Sequence, residues 1–185
     1  MVIDLLLFRL VNNLSGRWST LDAVGIFSAE FLLPLMFLLL IPAAFTIKRL
    51  KEEHWYEMPL KVSFAVGIAY LTRLGLGVII SRARPFAALS EVHKLIAFEP
   101  AYDSFPSGHA TITFALAFMI ARVDRDWGAA FLILAVLTAL GRVFVGVHYP
   151  LDILGGALVG WFAAWIIAKI EGAEWRKVGR AMRVR

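Results

Sequence analysis

Apolar residues in this chain come in long blocks, with polar residues gathered between them. The blocks run from about Leu21 to Ile47, Leu60 to Ser81, Gly108 to Ala121, Trp127 to Val147 and Pro150 to Ile170. About 20 helical residues, each rising 1.5 Å, cross the roughly 30 Å of hydrocarbon in a bilayer. Four blocks meet that length, and the third, though short, can be extended by Arg122 reaching out to the interface. The pattern predicts five membrane crossings. Glu30 lies within the first and Arg73 within the second. Ahead of them, Ile3, Leu6, Leu7, Leu10 and Leu14 recur at helical spacing, with Asp4, Arg9, Asn12 and Asn13 mostly elsewhere on the wheel. Residues 2–14 therefore read as a helix lying in the membrane interface. Neither a basic stretch before it nor a small-residue cleavage site after it suggests a signal peptide.

Composition agrees. Of 185 residues, 60% are hydrophobic and 18% charged, against about half and about a quarter in soluble domains. The expectation is an all-α integral membrane protein forming a single domain over residues 1–185, its last segment, 171–185, a basic cytoplasmic tail. The chain has no cysteine, which excludes disulfides, thiolate metal sites and cysteine nucleophiles. A net charge of +5 here speaks of topology and anionic lipid rather than nucleic acid.

Alternate crossings assign the chemistry to one side. The second block runs into Arg84, the third opens at His109, the fourth ends at His148 and the fifth begins near Asp152. All four positions fall on the same membrane face. The opposite face collects Lys48, Arg49, Lys51, Lys61, Arg122, Arg125, Lys169, Arg176, Lys177, Arg180, Arg183 and Arg185, which is 12 of the 19 basic residues. Basic residues accumulate on the cytoplasmic side. The polar cluster is therefore expected to face the exterior, or the periplasm of a cell that has one, from the inner (cytoplasmic) membrane.

Several residue types in that cluster suit phosphate chemistry. Arginine offers a permanently charged planar fork that matches phosphate oxygens. Arg84 and Arg142 are such candidates, although single arginines at span ends commonly bind lipid headgroups. Ser107 and the Gly108 amide open the third block, where a helix N-terminus attracts anions. Ser107 could equally be an ordinary helix cap. His148 and Asp152 are four residues apart at a helix start, hence on one face. A carboxylate on one imidazole nitrogen leaves the other basic and aimed. Such a histidine can attack phosphorus directly, while His109 handles the leaving-group proton. A purely structural His–Asp pair is the plainer reading of either residue alone.

The set also carries a resemblance. Arg84-Pro85, Pro106-Ser107-Gly108-His109 and Arg142-x5-His148-x3-Asp152 are similar to the three-part signature of the type 2 phosphatidic acid phosphatase superfamily. The resemblance implies an α-helical bundle and hydrolysis without a metal or other cofactor. It makes His148 the nucleophile, Asp152 its orienting partner and His109 the acid–base group. Arg84, Ser107, Gly108 and Arg142 become the phosphate ligands. The pattern departs at two places: the usual first-motif lysine is Gly77 here, and the serine common before the third-motif arginine is Gly141. Arg82 and Lys94 are candidates to replace the lysine. Arg73 stands about 16 Å from Arg84 if both are helical, too far to share one phosphate unless the chain bends. An Arg73–Glu30 pair inside the bundle is the preferred expectation, with Glu30 on the substrate headgroup as the alternative.

Within the superfamily, Arg84-Pro85-Phe86, Val92 to Ile96, Ser104 to Ser107 and Gly146 to Gly155 most resemble the bacitracin-resistance type undecaprenyl-diphosphate phosphatases. That branch implies a C-55 polyprenyl diphosphate substrate, cleaved to the monophosphate of the peptidoglycan lipid carrier through a phosphohistidine. The rivals are phosphatases of phosphatidylglycerol phosphate, phosphatidic acid or lipid A 1-phosphate. Beyond these lie a non-catalytic lipid-binding or transport protein and a metal hydrolase built on His93, His109, His148 and Asp152. Lipids are the expected partners; the sequence assigns no oligomeric state.

Overall fold

The computed structural model describes residues 2–47 and 57–182, with side chains within 2–47 and 58–170. Among these residues the regular structure is all helical: α1 (Val2–Asn12), α2 (Ser19–Glu30), α3 (Leu32–Thr46), α4 (Glu57–Ile80), α5 (Pro85–Ala88), α6 (Gly108–Ala121), α7 (Arg125–Phe144) and α8 (Pro150–Met182). The chain is a multi-pass membrane protein. α4, α7 and residues Pro150–Ile170 of α8 are each long and apolar enough to cross a bilayer.

The first apolar block is bent rather than straight. α2 and α3 meet at 59°, with Glu30 exposed at the break. Pro34 supplies the cause: it has no N–H for the Glu30 carbonyl, and its ring crowds that carbonyl. Lys48, Arg49 and Lys51 lie outside the described residues, as do the side chains of the basic tail; the backbone of α8 runs on helically to Met182.

A short apolar helix sits at the centre. α6 packs against α4, α7 and α8. Ala110, Thr111, Thr113, Phe114, Ala115, Leu116, Ala117, Met119 and Ile120 are all buried, so nearly every side of the helix faces protein. A helix sheathed this way need not match the hydrocarbon thickness, which accounts for its 14 residues. α8 comes close to it through two glycines one turn apart. A Cβ on Gly156 would stand 2.7 Å from the Ser107 carbonyl oxygen, and one on Gly160 2.6 Å from that of Thr111. Small residues at this spacing let membrane helices approach backbone to backbone.

α1 turns its polar side inward. Asp4, Phe8 and Asn12 are buried, while Val2, Ile3, Leu6 and Leu10 are exposed. Asn12 Nδ2 donates to the Phe144 carbonyl at 2.8 Å, satisfying an orphan acceptor at the end of α7. It also donates to the His93 carbonyl at 2.9 Å, and its Oδ1 accepts from the His93 amide.

The glycine contacts give opposite signs at different positions. Gly160→Ala should lower the melting temperature of the purified protein, because a methyl there meets backbone and overpacking costs about 1–3 kcal/mol. Gly67→Ala, on α4 with nothing within 4 Å of the added carbon, should leave it unchanged or raise it, since alanine favours helix by up to about 1 kcal/mol. Parallel thermal melts check both.

Candidate active site

Four local devices bring separated stretches to one end of the bundle. α4 stops at Ile80, and Ser81 turns the chain with a φ of 44°. Residues 82–84 then run beside 101–104: the Arg84 amide donates to the Ala101 carbonyl at 2.9 Å and the Ser104 amide to the Arg82 carbonyl at 2.9 Å. The Ser107 amide donates to the Asp152 carbonyl at 3.0 Å, which ties the start of α6 to the start of α8. Between α7 and α8, Gly146 sits at φ 83°, and any Cβ there would meet the His93 carbonyl oxygen at 2.6 Å. Only glycine makes that turn cheaply, and the turn delivers His148.

His148 is buried, with its two ring nitrogens facing different partners. Nε2 lies 3.4 Å from Arg84 Nη1. A guanidinium can only donate, so Nε2 is the acceptor and the ring proton belongs on Nδ1. Nδ1 faces Asp152 Oδ2 at 3.7 Å, longer than a hydrogen bond. Burial lowers the His148 imidazole to about 4, Arg142 and Arg84 adding to the fall and Asp152 opposing it. The ring is neutral at physiological pH, the form that has a free lone pair.

Asp152 is fully buried and densely held. Its Oδ2 accepts from Ser104 Oγ at 2.5 Å and from the Tyr149 amide at 2.8 Å. Its Oδ1 pairs with Arg82 Nη1 at 2.6 Å. Arg82 in turn pairs with Asp4 Oδ2 at 2.6 Å and lies 4.0 Å over the Tyr149 ring.

Arg84 and Arg142 are buried and share one carboxylate. Glu99 Oε2 stands 2.6 Å from Arg84 Nη1, and Glu99 Oε1 accepts from Arg142 Nη2. Burial alone would raise the Glu99 carboxyl, but Arg142 and Arg84 outweigh it and hold the group below the usual range. Each arginine keeps a buried Nε–H with no hydrogen-bond partner among the described residues. His109, in the first turn of α6, lies within electrostatic reach of Arg142, His148, Glu99 and Arg84.

The remaining candidates divide. Ser107 is the N-cap of α6, its hydroxyl oxygen accepting from the Ala110 amide at 3.5 Å, a bond that leaves its O–H free to donate. The expected Arg73–Glu30 pair does not form. Glu30 is exposed at the α2–α3 break, and Arg73 Nη2 binds Asp103 Oδ2 at 2.5 Å instead. The reason is local: a side chain at position 77 would start 2.1 Å from Asp103 Oδ1, so Asp103 fills the space that Gly77 leaves. One turn earlier, Arg73 also donates to the Pro106 carbonyl at 3.3 Å, and its Nε stands 3.5 Å from where a Gly108 Cβ would be. Beyond the turn at Ser81, Arg84 lies within electrostatic reach of Arg73. Arg82 is spent on Asp4 and Asp152 rather than facing outward. Lys94 lies over the Phe86 ring and donates to the Ala97 carbonyl. His93 has its ring against Gly16 and its backbone held by Asn12.

Asp4, Glu99, Asp103 and Ser104 were not singled out from sequence. Each is a partner of a buried charge, and the available signal was the demand itself. Guanidinium groups leaving water need carboxylates nearby, and the loop before Ser107 carries three, Glu91, Glu99 and Asp103.

Comparison with known proteins places the chain. It matches the PAP2 superfamily over residues 59–176. It is 33% identical over 160 residues to the bacitracin transport permease protein BcrC of Bacillus licheniformis, a span covering 86% of this chain and 76% of that protein. Against the undecaprenyl-diphosphatase BcrC of Bacillus subtilis it is 30% identical over 153 residues, covering 83% and 76%. The crystal structure of Aquifex aeolicus LpxE is similar with a TM-score of 0.69 at 28% identity, covering 90% of this chain and 95% of that one. With a helical membrane bundle, the clustered motifs and these matches in hand, the chain belongs to the PAP2 superfamily and is a membrane lipid phosphatase of that kind.

Proposed function

We propose that this protein hydrolyses undecaprenyl diphosphate to undecaprenyl phosphate and inorganic phosphate through a phosphohistidine on His148. The observation that carries the reading is the basic Nε2 of His148, 3.4 Å from one of two buried arginines that share a single carboxylate. The terminal phosphate takes the place of Glu99 between Arg84 and Arg142. Its oxygens also satisfy the two unpartnered Nε–H groups, donors that are costly to leave bare. The Gly108 amide adds a donor at the start of α6, with Arg73 alongside as the cation in place of the missing lysine.

His148 Nε2 attacks the terminal phosphorus in line. The N–P bond forms, the bridging P–O bond breaks, and the polyprenyl phosphate departs with a proton from His109. His109 then takes a proton from water, whose oxygen attacks phosphorus and breaks the N–P bond. Inorganic phosphate leaves and His148 is restored. Asp152 faces the ring nitrogen that carries the proton and balances the positive imidazole of the intermediate. Positioning and charge neutralisation carry most phosphoryl transfers, and both are present here. The similarity to the Bacillus subtilis undecaprenyl-diphosphatase supports the substrate, and the basic-residue bias supports a site facing outward.

His148→Ala should remove turnover while the protein stays folded, and phosphate release from undecaprenyl diphosphate should exceed that from phosphatidic acid, phosphatidylglycerol phosphate and lipid A 1-phosphate in parallel assays. Native-rate turnover by His148→Ala would sink the mechanism; preference for another lipid would sink the substrate alone. Glu99→Gln should lower KM and tighten inhibition by inorganic phosphate several-fold, because an anion no longer competes for the arginine pair; unchanged phosphate inhibition would contradict that seat. For orientation, Tyr102→Cys puts a single thiol into a cysteine-free chain at an exposed loop position beside the site. A membrane-impermeant maleimide should label it on intact cells or spheroplasts, and labelling only after lysis would reverse the topology.

A further inference from the structure

The polar anchors of α1 do different work. Asn12 holds one end through neutral hydrogen bonds to Phe144 and His93. Asp4 holds the other end through charge, and that charge leads to the catalytic pair. Asp4 Oδ2 pairs with Arg82 Nη2 at 2.6 Å, Arg82 Nη1 pairs with Asp152 Oδ1 at 2.6 Å, and Asp152 Oδ2 faces His148 Nδ1 at 3.7 Å. The Asp4 and Asp152 side chains are 1% and 0% exposed, so water screens this chain little. The second Asp4 oxygen accepts from the Leu151 amide at 2.9 Å, next to Asp152 itself.

We infer that Asp4 is a positioning residue for the hydrolysis, acting on His148 through Arg82 and Asp152. The inference rests on the reading of His148 as the nucleophile. Its logic is charge. When the N–P bond forms, the imidazole becomes positive, and a net negative group behind it stabilises that state. Asp152 with Arg82 alone sums to zero. Asp4 takes a share of the guanidinium and returns the group to a net −1, with Asp152 as the carboxylate nearest the ring. The N-terminal helix thus contributes to a site otherwise built from α4, α6, α7, α8 and the loops between them.

Asp4→Asn tests this because it keeps the shape and an acceptor for the Leu151 amide while removing the charge. On undecaprenyl diphosphate its kcat should fall on the order of tenfold, the size of one charge acting over about 10 Å at an effective dielectric of about 20. KM should stay within about twofold of wild type, since the arginine pair that holds phosphate is untouched. Asn12→Ala, which loosens the helix without altering the charge chain, should not reproduce this split. In an Arg82→Gln background, Asp4→Asn should change kcat by less than about twofold, because the intermediary is gone. The inference is overturned if Asp4→Asn keeps kcat within twofold of wild type, if it costs as much with Gln at position 82, or if Asn12→Ala gives the same loss. Turnover by His148→Ala would remove the mechanism underneath, an outcome read separately from the coupling between positions 4 and 82.

Discussion

Guanidinium groups withdrawn from water must find negative charge, and that requirement organises this end of the bundle. Arg73, Arg84 and Arg142 are buried and Arg82 is half-buried. Against these four cations stand four carboxylates: Asp103 on Arg73, Asp4 and Asp152 on Arg82, and Glu99 on Arg84 and Arg142. The cluster balances, four against four. A buried pair gives little stability beyond what its desolvation removes, whereas losing one partner is severe. A balanced cluster therefore folds without its substrate. Asp4 and Asp152 each accept several bonds. Glu99, on an irregular loop between Arg84 and Arg142, is the carboxylate that the proposed phosphate would displace.

The apolar frame makes that cluster possible. α6 carries His109 at its first turn and is otherwise wrapped by protein, so the polar end of a short helix is held level with the ends of its longer neighbours. The close approach through Gly156 and Gly160 presses α8 against α6. The Ser107 amide then reaches the Asp152 carbonyl, which ties the start of α6 to the start of α8. Packing in the membrane thus sets distances in the polar cluster, which lies beyond it.

Much of the frame was legible in the sequence because lipid imposes a length. Blocks of about 20 apolar residues have few readings; α4 and α7 start and stop near where the pattern changes, and α8 starts there but runs on past Ile170 to Met182. The break in the first block was less plain, since hydropathy ignores the backbone; Pro34 held the signal. The motif residues were legible through their types and spacing. Their carboxylate partners were not. Glu99 and Asp103 lie in a loop with no period to reveal which way a side chain turns. Asp4 read as one point on the polar side of a helical wheel, and nothing local says that it meets an arginine 78 positions away. Arg73 was matched with Glu30 because both were charges within spans, yet the bend at Ser81 brought Asp103 nearer.

The account stands on a covalent bond between phosphorus and the buried imidazole. Enzyme mixed with undecaprenyl diphosphate labelled in its terminal phosphate, quenched in alkali within a turnover and digested for mass spectrometry, reports that bond directly. The account predicts label on His148, stable to alkali and lost in acid, forming and decaying fast enough to carry turnover. Turnover with no labelled enzyme at any time, or label on another residue, would contradict it.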